Sequence, residues 1–215
     1  MNQIRYRYRL TFEKKEVMRF TSHLDLHRTW ERTFRRARLP LAYSQGYNPR
    51  PRLNLACALP LGYTSEGEIM DVWLEESLST NEILSRLRVA VPPGLYVQHI
   101  ESIETRERAL QTRMLSAAYV VQLHIETEVA ELRSNIEMLQ STDSIPRTRH
   151  GKAYDLRPLI EELNLEISEG GSPILHMTLS AREAATGRPE EVLLALGIQP
   201  TESRIHRTEL VLAAP

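Results

Sequence analysis

Along the first hundred residues the hydrophobic period changes from two to 3.6 and back twice, and that order leaves few folds open. Residues 5–12 alternate, Arg5-Tyr6-Arg7-Tyr8-Arg9-Leu10, as a strand with one polar face. Ser22, with Asp25 three residues on, has the capping-box pattern of a helix start, and Pro40 stops that helix near Arg38. Residues 43–51, YSQGYNPRP, hold one Gly and two Pro and form an irregular loop. Leu53, Leu55, Cys57 and Leu59 alternate as a strand, and Met70, Val72 and Leu74 do so again. A helix is predicted over 80–90 and a closing strand over Leu95–Ile103. The order β-α-β-β-α-β is that of a ferredoxin-like half with an antiparallel sheet.

After a polar connector at 104–114 the theme repeats. Strands are predicted at 119–125, 174–179 and 204–212, and helices at 128–140 and from Pro189 to Gly197. Residues 145–154 form a basic extended stretch, and a helix capped by Asp155 is expected over 156–164. With that helix as an insertion, the reading is an α+β chain of two tandem ferredoxin-like halves, residues 1–108 and 115–215.

No apolar run approaches the roughly 20 residues of a membrane span, and the start, MNQIRYRYRL, lacks the apolar core of a secretory signal. The single Cys57 excludes an internal disulfide framework and a thiolate metal site made by this chain alone. A cytoplasmic location follows as the default. GxGxxG, P-loop, GxSxG and HExxH motifs are absent, so no cofactor is expected.

Charge is the informative composition. Residues 1–52 hold thirteen Lys or Arg against four acids, an excess of nine in a chain of net charge −1. Such a split suggests a polyanion-facing surface, or two halves that neutralise each other. In the first helix Leu26, Trp30, Thr33, Phe34 and Ala37 share one sector, while Arg28, Arg32, Arg35, Arg36 and Arg38 lie opposite. Arginine suits bidentate phosphate contacts; the plainer reading is a solvated face. The following loop adds Tyr43 and Tyr47 to stack on bases, Ser44 and Asn48 as polar donors, and Arg50 and Arg52 for phosphates. Acids such as Glu126, Glu128, Glu161 and Glu162 are the groups that would cover these arginines if the charge asymmetry were structural.

His23 and His27, four apart, are half of a metal-ligand pattern. Asp25 points away from them and no third ligand follows, so no metal is expected; either imidazole could serve as an acid or base. Lys152, Arg157, Arg188 and Arg207, with Arg147, Arg149 and His150, outline a second basic edge, each residue of which singly reads as a cap or surface pair.

The run Arg19-Phe20-Thr21-Ser22-His23-Leu24-Asp25-Leu26, then Glu31-Arg32, Arg35-Arg36-Ala37, Leu39-Pro40, Tyr43 to Pro49 and Pro60-Leu61-Gly62, resembles the radical-SAM-linked protein family. The resemblance continues at Lys152, Asp155 to Pro158, Gly187-Arg188-Pro189 and Arg207-Thr208. The family is a domain of unknown function, fused to or encoded near radical S-adenosylmethionine proteins. The resemblance implies a radical SAM partner, since this chain lacks the three-cysteine motif of the radical enzyme itself. Residues and resemblance together suggest a non-catalytic protein that binds or presents RNA, tRNA or rRNA, for modification. Two other classes stay open. One is a metal-independent ribonuclease using His23 or His27, since the tandem architecture is similar to that of CRISPR-repeat processing endonucleases, though their glycine-rich loop has no counterpart here. The other is a protein-docking module that touches no nucleic acid.

Overall fold

In β1 (Tyr6–Lys14) alternate side chains take opposite faces of the sheet, and both faces are buried for different reasons. Tyr8, Leu10 and Phe12 enter the apolar core. Arg7 and Arg9, on the other face, are buried around a carboxylate. The computed structural model describes residues 5–124, 128–149 and 151–214. The chain divides into two units, residues 1–114 with 213–215 and residues 115–212.

In the first unit α1 (His23–Arg36) begins where Ser22 Oγ accepts the Asp25 backbone N–H at 3.2 Å. It ends at Arg38, whose left-handed φ of 53° breaks the helix two residues before Pro40. Its apolar sector lies down on the sheet. Leu26, Trp30, Thr33 and Phe34 are fully buried, and Trp30 meets Phe12 edge-on at 4.8 Å. Burying Leu26 and Phe34 contributes about 1.5–3 kcal/mol each. Antiparallel β2 (Leu53–Leu55), β3 (Thr64–Leu74) and β4 (Leu95–Ile103) join β1 in the order β2-β3-β1-β4. Between β3 and β4, α2 (Thr80–Ala90) buries Ile83, Leu87 and Ala90 in the same core, with Ser79 as its cap. Residues 104–113 are part of this unit, since Leu110 and Arg113 are buried.

The face of this sheet away from the core is a row of paired charges. Arg7 stands opposite Trp73 and Arg9 opposite Asp71. The wholly buried Asp71 carboxylate accepts Arg7 Nη2 at 2.5 Å and Arg9 Nε at 2.8 Å. Arg9 also reaches Glu107 at 2.9 Å, and Arg113 pairs with that same carboxylate. Burial first, then the like charge of Arg9, lowers the pKa of Arg113, while Asp71 opposes the fall. Arg7 and Arg113 satisfy their other donors on the carbonyls of Glu107, Arg108 and Ala213.

The second unit runs β5 (Met114–Leu123), α3 (Val129–Ser141), the hairpin β6 (Pro146–Arg149) and β7 (Lys152–Asp155), β8 (Ile160–Ile167), β9 (Pro173–Arg182), β10 (Ala185–Thr186), α4 (Pro189–Ala195) and β11 (Ser203–Leu212). Its main strands follow the order β8-β9-β5-β11, with β10 also on β9. The helix expected over 156–164 is not formed. Asp155 caps a single 3-10 turn at Arg157–Leu159, and β8 follows. A bulge between Ile160 and Glu162 sets Ile160 and Leu163 both inward, three residues apart, and that spacing imitates a helix.

Replacing Asp71 by Ala strands Arg7 and Arg9 without their carboxylate in a buried site. Urea unfolding should show a loss of about 3–5 kcal/mol, against under ~1 kcal/mol for an exposed pair such as Arg28–Asp25.

Candidate nucleic-acid interface

Five arginines of the first helix, Arg28, Arg32, Arg35, Arg36 and Arg38, are exposed, because the helix sector opposite the core faces away from the sheet. Arg28 pairs loosely with Asp25 at 3.4 Å. Arg36 turns toward α2 and donates to the Ala90 carbonyl, so its charge is tethered. Among the described residues Arg32, Arg35 and Arg38 have no ion-pair partner. Arg28, Arg32 and Arg35, at i, i+4 and i+7, form a row about 10 Å long.

The loop after α1 is closed at its base. Ser44 N–H donates to the Arg50 carbonyl at 2.8 Å, and Arg50 N–H donates to Ser44 Oγ at 3.0 Å. Its tip stands clear: Tyr47 is 99% exposed, with Asn48 and Arg50 exposed beside it, while Tyr43 is partly covered. Gly46, at φ 134°, makes the turn. Arg52 is placed apart from the helix row. Leu53 enters the core, so the preceding side chain takes the opposite face, where its guanidinium lies 4.9 Å from the Trp73 ring centroid.

His27 sits between Glu31 Oε1 at 3.4 Å from Nδ1 and the Leu53 carbonyl at 3.4 Å from Nε2. Both ring nitrogens therefore face protein groups. His23 is half-buried in the first turn of α1. Among the described residues no group of three or more His, Cys, Asp or Glu is arranged to hold a metal.

The segment leading into α1 is built on a buried amine. Lys14 Nζ donates to the carbonyls of Arg19, Thr21 and Tyr63 at 3.0–3.2 Å. Arg19 and Gly62 bond reciprocally, Arg19 Nε to Gly62 O at 2.7 Å and Gly62 N to Arg19 O at 3.0 Å. Gly94, at φ 91°, lies under this turn, where a Cβ would come within 2.8 Å of Met18 Cγ. The joined region leaves four apolar side chains in solvent: Val17, Phe20, Leu24 and Leu61 are each at least 60% exposed.

In the second unit Arg149, Lys152, Tyr154 and Thr186 line a groove of about 670 Å³ between the β6–β7 hairpin and β10. Burial, followed by Glu191, raises the Tyr154 pKa, while Arg149, Arg147 and Arg188 oppose the rise. Asp155 is held below the usual carboxylate range by the backbone N–H groups of Ile145 and Arg157, and it pins the hairpin. Lys152 and Arg188 are exposed. Arg157 is occupied by the carbonyls of Ile160 and Gln140. Arg207 is fully buried and is not part of an exposed basic edge. His150 and Glu126 lie outside the described residues. The reading of the residues missed the Arg7–Arg9–Asp71 network. Its signal was an acid inside an apolar strand, Ile69-Met70-Asp71-Val72-Trp73-Leu74.

Residues 7–189 match a family described as an uncharacterized protein conserved in bacteria, DUF2344. No curated protein matches the chain by sequence. Among solved structures, a chain of a Cbf5-Nop10-Gar1 complex is similar at 10% identity and TM-score 0.51 over 94% of this chain. A chain of an archaeal box H/ACA sRNP Nop10-Cbf5 complex follows at 9% and 0.48, also over 94%. This protein spans 48% and 47% of those two chains, about half their length. At that identity the first likeness concerns the fold alone.

Lys14→Met removes the donor shared by three carbonyls. We expect a loss of about 2–3 kcal/mol and faster amide exchange over residues 16–22 than over β3. Uniform exchange over both segments would assign the amine no local role.

Proposed function

We propose that this chain, which belongs to the bacterial family DUF2344, is a non-catalytic RNA-binding or substrate-presenting protein that serves radical-SAM-dependent RNA modification in the cytoplasm. We read each unit as a ferredoxin-like half. The strand orders β2-β3-β1-β4 and β8-β9-β5-β11 support this, since each places the first strand of its unit between the third and the last of the four main strands.

The exposed row of Arg28, Arg32 and Arg35 carries the RNA reading. Two of its three guanidiniums have no carboxylate partner among the described residues, so the row leaves a positive potential that a phosphate backbone would neutralise. Tyr47 and Arg50 at the loop tip add an exposed ring and a cation of the kind that hold single-stranded bases. Cleavage by His27 is disfavoured, because both its nitrogens are engaged with protein groups.

Filter binding to bulk tRNA across a salt series tests this. Each phosphate contact adds roughly 0.7 to the log–log slope for single strands, so Arg32→Glu with Arg35→Glu should lower the slope by about 1.4 and weaken binding at every salt. Absence of binding at low salt, or a double variant that binds like the parent, would sink the reading.

A second reading rests on a different observation. Val17, Phe20, Leu24 and Leu61 expose apolar area in a region stiffened by Lys14 and the Arg19–Gly62 bonds, which suits docking on a radical SAM enzyme without nucleic-acid contact. Co-purification from the native host should yield that enzyme, and Phe20→Glu with Leu24→Glu should release it. A protein that elutes alone at physiological salt counts against a stable complex.

A further inference from the structure

On the sheet face away from α1, the Trp73 ring lies between two guanidiniums. Arg7 is 4.9 Å from the ring centroid and Arg52 is also at 4.9 Å. The two differ in everything else. Arg7 is saturated by Asp71 and by backbone carbonyls. Arg52 is held by the ring and by its own backbone, through Arg52 N–H to Ala42 O at 2.8 Å and Trp73 N–H to Arg52 O at 3.1 Å. Its guanidinium donates no hydrogen bond among the described residues.

Arg5 completes the corner. Its Nη2 reaches the Tyr43 carbonyl at 3.3 Å, and its Nε is buried with no acceptor. A buried guanidinium donor that meets no acceptor among the described residues is uncommon, and an added oxyanion would complete it. Carboxylates of the described residues do not complete it. Asp71 and Glu107 are taken by Arg7, Arg9 and Arg113, and Glu75, which follows Leu74 on β3, forms no ion pair among the described residues. Residues 1–4, Met-Asn-Gln-Ile, contain no acid. Burial, then the charges of Arg5 and Arg7, lower the Arg52 pKa, as expected where like charges crowd without a counter-ion.

We propose that Arg5 and Arg52, backed by the Trp73 ring, form a phosphoryl-binding site on the face opposite the helix row. Arg52 offers its unused planar edge and Arg5 a second positive charge close enough to act on it, so an oxyanion on Arg52 is drawn by both cations. The proposal deepens the RNA reading, on which it rests for the source of the phosphate: a phosphate of the nucleic acid is held here. The same chemistry would accept a free phosphate ester.

Trp73 and Trp30 are the only tryptophans, and Trp30 lies in the core. Fluorotryptophan labelling of the full chain therefore gives one fluorine resonance at the site and one internal control. Titration with inorganic phosphate and with a 5′-phosphorylated single-stranded RNA oligonucleotide should shift the Trp73 signal and leave that of Trp30 in place. Arg52→Gln should weaken both responses by roughly tenfold or more, since a hydrogen bond to a charged group is lost. Arg52→Lys, which keeps the charge, should weaken them less, and Arg5→Gln gives a second variant should either Arg52 change disturb folding. Response to phosphate, with no RNA retained on filters, supports the site, assigns it to a free phosphorylated ligand and removes the RNA reading. RNA that binds on filters yet leaves Trp73 unmoved and ignores Arg52→Gln overturns the site and keeps the RNA reading. No shift with either probe also overturns it.

Discussion

The first unit depends on one buried carboxylate. β1 carries Arg5, Arg7 and Arg9 on alternate positions, so the pleat that sends Tyr8, Leu10 and Phe12 into the core sends guanidiniums to the other face. Burying that face without an acid would be prohibitive. Asp71 lies opposite Arg9, one pleat from Trp73, and accepts from Arg7 and Arg9 together. That fixes the register of β1 against β3, because a slip of one residue would drive the arginines into the apolar core. The 104–113 segment is drawn into the same network through Glu107 and Arg113.

This network changes how the charge of the N-terminal region is understood. An excess of nine positive charges in residues 1–52 reads from the sequence as one outward surface. Much of it is internal. Arg7, Arg9 and Lys14 are buried, and Arg36 is tied to Ala90 O. What remains outward is narrower: Arg28, Arg32, Arg35 and Arg38 on one side and Arg50 at the loop tip. Periodicity could separate the faces of α1 because a helix on a sheet has one wet side. It could not do so for β1, since alternation says which residues share a face and is silent on whether that face is covered.

The same limit explains the elements. Helix α1 is legible because cap and apolar sector agree, with Ser22 before it, α4 because Pro189 opens it, and α2 from its apolar spacing alone, its Ser79 cap being seen only in the structure. The strand from Leu95 to Ile103 was legible for its clean bounds. The segment 156–164 was misread because Asp155 does cap a turn, but one that Pro158 and the bulge at Ile160–Glu162 divert into β8. At the candidate interface, the exposure of the arginine row followed from the helix period. The separation of Arg52 from that row did not, because it depends on the three-residue strand β2 joining the sheet with Leu53 inward.

That separation shapes what the interface can be. The α1 row and the Arg5–Arg52 corner lie on opposite sides of the first unit's helix-on-sheet layers, and the closed loop 44–50 connects α1 to β2 in the chain. A flat, rigid ligand can touch only one of the two sides. A ligand that touches both must bend, and Tyr47 and Arg50 at the loop tip stand in solvent. Flexible single-stranded RNA can follow such a path, with stacking at the turn and phosphates on either side, whereas a stiff duplex cannot. On the proposed RNA reading, a ligand that used both sides would therefore be an unpaired segment or end and not a helical stem.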